Sequence, residues 1–378
     1  MRKMKKAAVA VIAVVTALIV AVSASFLGIF IYRKTNVGRY DFSYLFGSAN
    51  RVVLFIGDGM GKNHINVTAS YYGVTPYVTT LPVQGEITTY SNSLFTPTDS
   101  AAAGSALSTG QKYDNKEVAR HNGQDVESIS EYAKSLGLGV GIVTTDSLSG
   151  ATPACFSSHA NNRADDEDIV AGQLNSNIDL FMGAGYSRYA SYKRQFEEKG
   201  YTFASDLSEL DETDDGKIIA SFTNVSAENG SDQTPTLSSL VSFALAYMER
   251  RFADSGYFLM IEGAHIDKMS HDNDIINMVK YLKDFDGSVK LACDSLADKT
   301  DCAVIVTADH ETGKLRYRSE SKEQINDSLY TRSGHSAANV PYYIYLDTAV
   351  QNVKPFPAKM DNTDIYKIIR AMLTRPAA

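Results

Sequence analysis

Cysteine and basic residues are both scarce in this chain of 378 residues. Three cysteines cannot form the disulfide framework that holds small secreted domains together, so a buried apolar core must provide the stability. From Tyr40 onward the chain carries 29 basic and 44 acidic side chains, a net charge of −15. Because no basic face is available to neutralise a phosphate backbone, this composition argues against a nucleic-acid partner.

The N-terminus has the opposite character. Residues 7–32 are almost wholly apolar and follow four basic residues within the first six positions. This run is long enough to cross a bilayer as a helix, and the preceding charges predict that the rest of the chain lies outside the cytoplasm. The alternative is a cleaved signal peptide with a processing site at residues 22–24, followed by secretion. The run exceeds the usual ~7–15-residue signal core, which favours an anchor in the cell membrane.

The remaining chain alternates between two patterns. Apolar runs predict strands at 52–56, 139–145, 179–183, 258–261 and 303–306. Helical periodicity covers residues 126–136, 237–251, 275–296 and 363–373. This alternation predicts an α/β fold with a central, mostly parallel sheet and helices on both faces. We therefore expect two parts: a cytoplasmic tip with an anchor or signal sequence over residues 1–39, and a single α/β domain over 40–378.

Three of the predicted strands end in acidic or histidine residues. Asp58 follows the first strand between two glycines, Glu262 follows the strand at 258–261, and Asp309 and His310 follow the strand at 303–306. Because ligands bind at the carboxyl ends of strands in open α/β sheets, these side chains predict a site at that edge. Each residue alone has a simpler interpretation as a solvated strand end.

Two more residues have the spacing of metal ligands. Asp267 and His271 lie four positions apart, so on a helix they share one face and can hold the same ion. His335 is a further candidate downstream. The mixed imidazole and carboxylate donors suit zinc and are Asp58, Asp267, His271, Asp309, His310 and His335. An all-oxygen set suits magnesium and consists of Asp58, Thr152 and Glu262.

A serine follows a carboxylate at the start of an alanine-rich stretch. Ser100, next to Asp99, is placed in the first turn of a predicted helix, where free N–H groups and the helix dipole favour an anion. The simpler interpretation is a helix N-cap. Arg163, which precedes an acidic run at residues 165–168, is either a surface arginine or an anion-binding group.

Six motifs between Arg51 and Asp347 resemble, in order, those of the alkaline phosphatases, metal-dependent phosphomonoesterases that form a phosphoserine intermediate. The motifs are Gly-Asp-Gly-Met-Gly at 57–61, Thr-Asp-Ser-Ala-Ala at 98–102, Ala-Thr-Pro-Ala at 151–154, Glu-Gly-Ala-His-Ile-Asp at 262–267, Thr-Ala-Asp-His at 307–310 and Gly-His-Ser at 334–336. This resemblance implies the alkaline-phosphatase-like fold and activity on small phosphate monoesters. The frequent dimers of the family leave a homodimer open here.

The resemblance also implies specific roles. Ser100 is then the nucleophile, and Arg163 binds the phosphate. Two zinc ions are implied, with ligands Asp267, His271 and His335 for the first and Asp58, Asp309 and His310 for the second. A third ion, a magnesium, is implied with the ligands Asp58, Thr152 and Glu262.

One position departs from the family pattern. Many members have an acid or a histidine two residues before the threonine that matches Thr152, whereas this chain has Gly150. Lys268, which often pairs with that acid in bacterial members, is therefore expected to lack this partner and to contact phosphate through water. The identity of the third ion stays open at this point.

Alternatives from other classes also remain. A phosphodiesterase or phosphonate hydrolase could use the same scaffold, and a non-catalytic surface module could bind the metals structurally. Retention of Ser100 argues against the module, because a structural metal site needs no nucleophile. Cys293 and Cys302 are either a disulfide pair or buried thiols, and Cys155 is expected to serve packing.

Overall fold

The structure is a computed structural model that describes residues 11–25, 28, 39–211, 215–347 and 354–374. Contacts divide the chain into two units, Met1–Asp41 and Phe42–Ala378, which we describe separately. In the first unit, residues 11–25 form a helix, α1. Within the described part of the chain, no helix combines the length and apolar character needed to cross a bilayer. The predicted span over residues 7–32 is therefore not supported, and residues 7–10 and most of 26–32 lie outside the described residues.

The described residues of the second unit form fourteen strands and eleven α-helices. The strands are β1 (Arg51–Gly57), β2 (Val83–Thr88), β3 (Arg120–His121), β4 (Gln124–Asp125), β5 (Gly139–Ser147), β6 (Leu180–Ala184), β7 (Tyr201–Ala204), β8 (Lys217–Phe222), β9 (Tyr257–Gly263), β10 (Cys302–Thr307), β11 (Glu311–Thr312), β12 (His335–Ser336), β13 (Val340–Leu346) and β14 (Lys359–Asp361). The helices are α2 (Lys62–Tyr72), α3 (Ser100–Thr109), α4 (Ile129–Ser135), α5 (Ala151–Ser157), α6 (Asp166–Asn175), α7 (Tyr186–Tyr189), α8 (Lys193–Glu198), α9 (Leu237–Phe252), α10 (His265–His271), α11 (Ile275–Ser295) and α12 (Thr363–Leu373).

Ten strands form one sheet in the order β14-β2-β13-β10-β1-β9-β5-β6-β8-β7. All neighbouring pairs from β10 to β7 are parallel, whereas β13 runs antiparallel to both of its neighbours. Every residue of β1, β9 and β10 is buried, as expected for central parallel strands covered on both faces. The mostly parallel sheet predicted from the sequence is thus confirmed.

Helices cover both faces of this sheet. Phe55 of β1 packs edge-on against Phe285 of α11, with ring centroids 5.7 Å apart. Phe258 of β9 stacks on Phe156 of α5 at 6.2 Å. Phe258 is paired with Val52, which lies three residues before Phe55, so the two phenylalanines point to opposite faces. The α5 and α11 layers therefore lie on opposite sides of the sheet.

Helix α4 begins three residues later than the pattern predicted. The Ser128 side chain accepts a hydrogen bond from the amide of Glu131 at 3.2 Å. The Glu131 carboxylate accepts one from the amide of Ser128 at 2.7 Å. This reciprocal capping box fixes the helix start at Ile129, because it satisfies two amides that otherwise lack partners.

All three cysteines are buried free thiols. The disulfide between Cys293 and Cys302, one of the two predicted alternatives, is not formed. The thiol of Cys155 donates to the carbonyl of Ala101 in α3 at 3.2 Å. A Cβ on Gly104 of the same helix would lie 3.2 Å from this sulfur, so Cys155 has a packing role between α3 and α5.

Candidate functional site

The carboxyl ends of β1, β9 and β10 meet at one edge of the sheet. Ile56 is paired with Glu262 on one side and with Thr307 on the other. The residues that follow these positions therefore emerge side by side. A separate two-stranded ribbon, β11 with β12, adds its residues to the same region and pairs Thr312 with His335. This ribbon also joins the two ends of the segment 313–334.

A glycine turn positions the first acid of this edge. Gly59 follows Asp58 and has a φ of +73°, a conformation that favours glycine. A Cβ at this position would lie 2.9 Å from the Cα of Asp267. Only a residue without a side chain lets the β1 turn approach α10 this closely, and the approach brings Asp58 beside Asp267.

Asp267, His271 and His335 form a first group of ligand atoms, all within 4.8 Å of one another. Helix α10 presents Asp267 and His271 on one face, with Oδ2 of Asp267 3.3 Å from Nε2 of His271. Nε2 of His335 lies 3.7 Å from Oδ1 of the same aspartate. The structure thus brings together the three residues expected to hold the first zinc ion.

Hydrogen bonds fix the orientation of these two histidines. Nδ1 of His335 donates to the carbonyl of Thr98 at 2.8 Å, and Nδ1 of His271 donates to the carbonyl of Ser333. Because Nδ1 carries the proton, Nε2 of each neutral ring is a lone-pair donor. The two Nε2 atoms face each other at 3.1 Å. Facing lone pairs repel each other unless a cation or a proton lies between them, so the geometry fits a metal ion.

A second group of ligand atoms surrounds His310. Asp58, Asp267 and His310 lie within 4.8 Å of one another. Nε2 of His310 is 3.5 Å from Oδ1 of Asp58 and 3.2 Å from Oδ2 of Asp309. The expected ligands of the second zinc ion are therefore together, and Asp267 lies between the two groups.

Two buried oxygen atoms in this group have no hydrogen-bond partner among the described residues. They are Oδ1 of Asp58 and Oδ2 of Asp309. The other oxygen of Asp309 accepts from the amides of Gly59 at 3.1 Å and His310 at 2.8 Å. A buried carboxylate oxygen without a donor is costly, so these atoms suit the ligands of a cation.

The electrostatics of the site favour the same interpretation. Burial and the charge of Asp309 raise the pKa of Asp58 well above its usual range. Burial and the charge of Asp267 raise the pKa of Asp309 to about 7. Burial and the neighbouring His335 lower the pKa of His310. Divalent cations would remove the repulsion among the carboxylates and coordinate the neutral imidazole.

Ser100 lies next to this cluster, at the start of α3. Its Oγ is 3.2 Å from Nε2 of His310, and the residue is 4% exposed. Asp99 caps the helix by accepting from the amide of Ala102 at 3.0 Å. The hydroxyl therefore faces the ligand cluster while the positive end of the helix dipole lies behind it.

Arg163 lies on the solvent side of the same helix start. Its Nη1 is 3.5 Å from Oδ2 of Asp99, and its side chain is 38% exposed. Its backbone amide donates to the carbonyl of Lys116 at 2.8 Å, which fixes the loop that carries it. A contact of 3.5 Å is long for a hydrogen bond, so the guanidinium group can reorient toward an anion at Ser100.

A third set of oxygen atoms lies deeper, where β9 faces α5. Glu262 is 2% exposed and accepts a hydrogen bond from Oγ1 of Thr144, its partner in the sheet. Burial and the charge of Asp146 raise the pKa of Glu262 to about 8. The hydroxyl of Thr152, 1% exposed, has no hydrogen-bond partner within the described chain.

Lys268 lacks an acidic partner at position 150, as expected, but it has a partner elsewhere in the chain. Its ammonium group is not without a carboxylate, because it forms an ion pair with Asp146 at the end of β5. Gly150 indeed contributes no acid. The lysine is paired through a different part of the chain, so direct or water-mediated phosphate binding by Lys268 has no support from this geometry.

Sequence reasoning overlooked three residues of this site. Thr312 donates from Oγ1 to Oδ1 of Asp267, and Thr144 donates to Glu262. Neither threonine carries a sequence signal, because the role of each depends on which distant residue the fold places next to it. Asp146 did carry one: it is an acid at the end of an apolar strand, but the predicted strand stopped at Thr145.

The fold and this edge of the sheet bring a buried serine next to two groups of atoms that could hold metal ions. The family model described as "Alkaline phosphatase" matches residues 49–368. The chain belongs to this family.

Individual proteins that are similar to this chain are also named alkaline phosphatases. Alkaline phosphatase 3 of Bacillus subtilis is 32% identical over 286 residues, a match that covers 69% of this chain and 61% of that protein. The chain therefore spans less than two thirds of the length of this relative. The structure of alkaline phosphatase from the Antarctic bacterium TAB5 matches with a TM-score of 0.73 and 26% identity, covering 86% of this chain and 98% of that one. A histidine-to-glutamate variant of the TAB5 protein, with magnesium bound in a site called M3, gives the same TM-score and identity and covers 88% and 100%.

Proposed function

We propose that this protein hydrolyses phosphate monoesters to an alcohol and inorganic phosphate through a phosphoserine intermediate on Ser100. The observation that carries the proposal is the position of Ser100, whose Oγ lies 3.2 Å from Nε2 of His310 at the start of α3. A nucleophile beside a cluster of metal ligands is expected of a catalytic site and is unnecessary in a structural one.

We propose two zinc ions and one magnesium ion as cofactors. The facing Nε2 atoms of His271 and His335 and the unpartnered oxygens of Asp58 and Asp309 support zinc, which binds imidazole and carboxylate together. The oxygen donors around Glu262 suit magnesium, and the magnesium-bound TAB5 variant supports a third site. When bound, the ions supply positive charge that lowers the pKa of the serine hydroxyl and stabilises the departing alkoxide.

The chain's own residues account for the two transfer steps. Oγ of Ser100 forms a bond to phosphorus while the bond from phosphorus to the alcohol oxygen breaks. The serine proton passes to solvent, and the alcohol leaves with a proton from solvent. Water then attacks the phosphoserine, which releases phosphate and restores the hydroxyl, so one water molecule is consumed overall.

Arg163 and the amides at the start of α3 bind the non-bridging phosphoryl oxygens. Their hydrogen bonds are charge-assisted, and the fork of the guanidinium group matches two oxygens at once. A terminal phosphoryl group offers more charge to this fork than a diester does. This difference supports a monoesterase over a phosphodiesterase on the same scaffold.

We also propose that the protein is exported and held at the cell membrane, with its catalytic domain outside the cytoplasm. The apolar segment 7–32 and the basic residues before it support this location, with secretion after cleavage as the alternative. The intact mass of the protein recovered from the membrane and from the culture medium distinguishes the two, because cleavage removes the N-terminal segment and releases the protein.

The first test measures hydrolysis of a chromogenic phosphate monoester and its matched diester across pH. The full chain is stripped of metal with a chelator, and zinc and magnesium are restored separately and together. We expect zinc-dependent activity that prefers the monoester and rises toward alkaline pH. Preference for the diester would instead establish the phosphodiesterase alternative, and inactivity toward both would contradict an esterase.

The second test addresses Ser100 directly. Ser100→Ala is expected to abolish the acid-stable phosphoenzyme trapped at low pH, while the zinc content stays at the wild-type value. Ser108→Ala is the matched control, because Ser108 lies on the same helix and donates to the carbonyl of Ser105. Full turnover in Ser100→Ala would exclude this serine as the nucleophile.

A further inference from the structure

We propose that Asp146 is the outer acid of the third metal site and acts, through ordered water, on a divalent cation held by Asp58, Thr152 and Glu262. This inference rests on the metal set in the proposed function and adds to it a residue at the end of β5. The argument depends on the position of the Asp146 carboxylate and on two buried, unpartnered oxygens in the proposed ligand set.

The hydrogen bonds of Thr144 place Asp146 beside Glu262. Thr144 is paired with Glu262 across β5 and β9, and its Oγ1 donates to the glutamate. The same Oγ1 accepts from the amide of Asp146 at 2.9 Å. One hydroxyl therefore contacts both residues, and the pairing of β5 with β6 is irregular between Val143 and Ser147. Such irregularities redirect side chains near strand ends.

The Asp146 carboxylate also lies beside the start of α5, the helix that carries Thr152. A Cβ on Gly150 would lie 3.1 Å from Oδ2 of Asp146 and 3.5 Å from its Cγ. The space that a side chain at position 150 would enter is thus next to the carboxylate of Asp146. The acid in this region therefore comes from β5, whereas position 150 carries no side chain.

Two unpartnered oxygens indicate that a ligand belongs here. Oγ1 of Thr152 and Oδ1 of Asp58 are buried and form no hydrogen bond within the described residues. Thr152 is 1% exposed and Asp58 is 7% exposed, so bulk water does not satisfy them. Together with Glu262 they offer only oxygen, which is the donor type that magnesium prefers.

Asp146 differs from these three residues in its access to solvent. Its side chain is 30% exposed, whereas Glu262 is 2% exposed. Magnesium keeps several of its water ligands in proteins, and those waters need acceptors. A half-buried carboxylate suits that task, and its ion pair with Lys268 offsets part of the negative charge that it adds.

The test compares magnesium affinity in three variants of the full chain, measured by calorimetry on zinc-loaded protein. Asp146→Asn keeps the shape of the side chain and removes its charge. We expect magnesium to bind about 10- to 100-fold more weakly, which is the usual cost of losing an outer partner of a metal site. The zinc content and the circular dichroism spectrum are expected to match the wild type.

Asp166→Asn is the matched control. Asp166 is 33% exposed and pairs with Arg188, so it resembles Asp146 in exposure and in having a basic partner. Its magnesium affinity is expected to stay within about twofold of the wild type, since it does not belong to the site.

Lys268→Gln separates a direct role of Asp146 from a role in holding Lys268. If the carboxylate acts on the ion, removing the positive charge leaves magnesium binding unchanged or tighter. Wild-type affinity in Asp146→Asn, or an equal loss in both variants, would overturn the inference. These affinities do not depend on turnover, so a protein without monoesterase activity could still support the role of Asp146.

Discussion

At the residue scale, charge placement around Ser100 bears on the proposed preference for phosphate monoesters. Arg163 contacts Asp99, the helix cap next to the nucleophile, and keeps 38% of its side chain exposed. The contact with Asp99 orients the guanidinium group but does not cancel all of its positive charge. It can therefore meet a doubly charged phosphoryl group, and its removal should affect monoesters and diesters differently.

Arg163→Ala is expected to lower kcat/KM for a phosphate monoester by about 10- to 100-fold, because charge-assisted hydrogen bonds contribute about 1.5–3 kcal/mol. The kcat/KM for a diester, which carries one negative charge fewer, should fall by a smaller factor. Steady-state kinetics on a matched pair of substrates checks this difference. Arg188→Ala is the control, since Arg188 is 39% exposed and paired with Asp166. Equal losses on both substrates would refute the assigned role.

The sequence around Asp146 did not reveal which side chains this residue contacts. An acid at a strand end was visible, but its contact with Lys268 depends on a register irregularity and on the approach of α10. The roles of Thr144 and Thr312 were also invisible, because a threonine in a strand has no distinguishing feature until its neighbour is known. It was easier to predict that Ser100, Asp58 and the histidines belong to a site, because their residue types suggest chemistry directly.

At the element scale, the site depends on how closely the β1 turn approaches helix α10. Gly59 makes this approach possible with a φ of +73° and no side chain against Asp267. The elements themselves were largely predictable, because buried parallel strands are continuous apolar runs and α9, α11 and α12 have clear helical periods. The distance between the β1 turn and α10 could not be predicted, because it depends on packing between segments that are far apart in the sequence.

Gly59→Ala is expected to weaken zinc binding by at least about tenfold, because the new Cβ forces the β1 turn away from Asp267, and displacements of this kind strongly disturb a site. Zinc titration with a competing chelator measures the change.

Gly123→Ala is the matched control for Gly59→Ala. Gly123 has a φ of +74°, and a Cβ there would meet nothing within 4 Å. This substitution should lower the free energy of unfolding by about 1–2 kcal/mol through the backbone conformation alone and leave the zinc affinity unchanged. Equal zinc affinities in the two variants would show that the close approach at Gly59 is unimportant.

At the scale of the whole molecule, the buried acids couple stability to pH and to metal. Without metal, burial raises the pKa of Glu262 to about 8 and that of Asp309 to about 7. The folded protein then keeps protons that the unfolded chain releases, so the free energy of unfolding falls as pH rises through this range. Burial lowers the pKa of His310 and His335 below their usual 6.5, which gives the opposite slope at lower pH.

We therefore expect the metal-free protein to lose stability between about pH 6.5 and about pH 8, where the carboxyl effect dominates over the two histidines with lowered pKa values. The hydrogen bond to Asp267 raises the pKa of His271, which acts in the same direction as the carboxyl effect. Thermal denaturation in chelator at both ends of this range measures the loss. Zinc and magnesium should largely remove it, because bound cations stabilise the ionised carboxylates. An identical pH dependence with and without metal would contradict this account.

The ribbon of β11 and β12 has a consequence for the evolution of this protein. It fixes both ends of segment 313–334, with His310 just before it and His335 just after it. Insertions or deletions within the segment can therefore change its length while the ribbon keeps His335 paired with Thr312, two residues after His310, since surface loops tolerate such changes at small cost. A shorter or longer segment would therefore change the surface of the protein without breaking the ribbon that closes it.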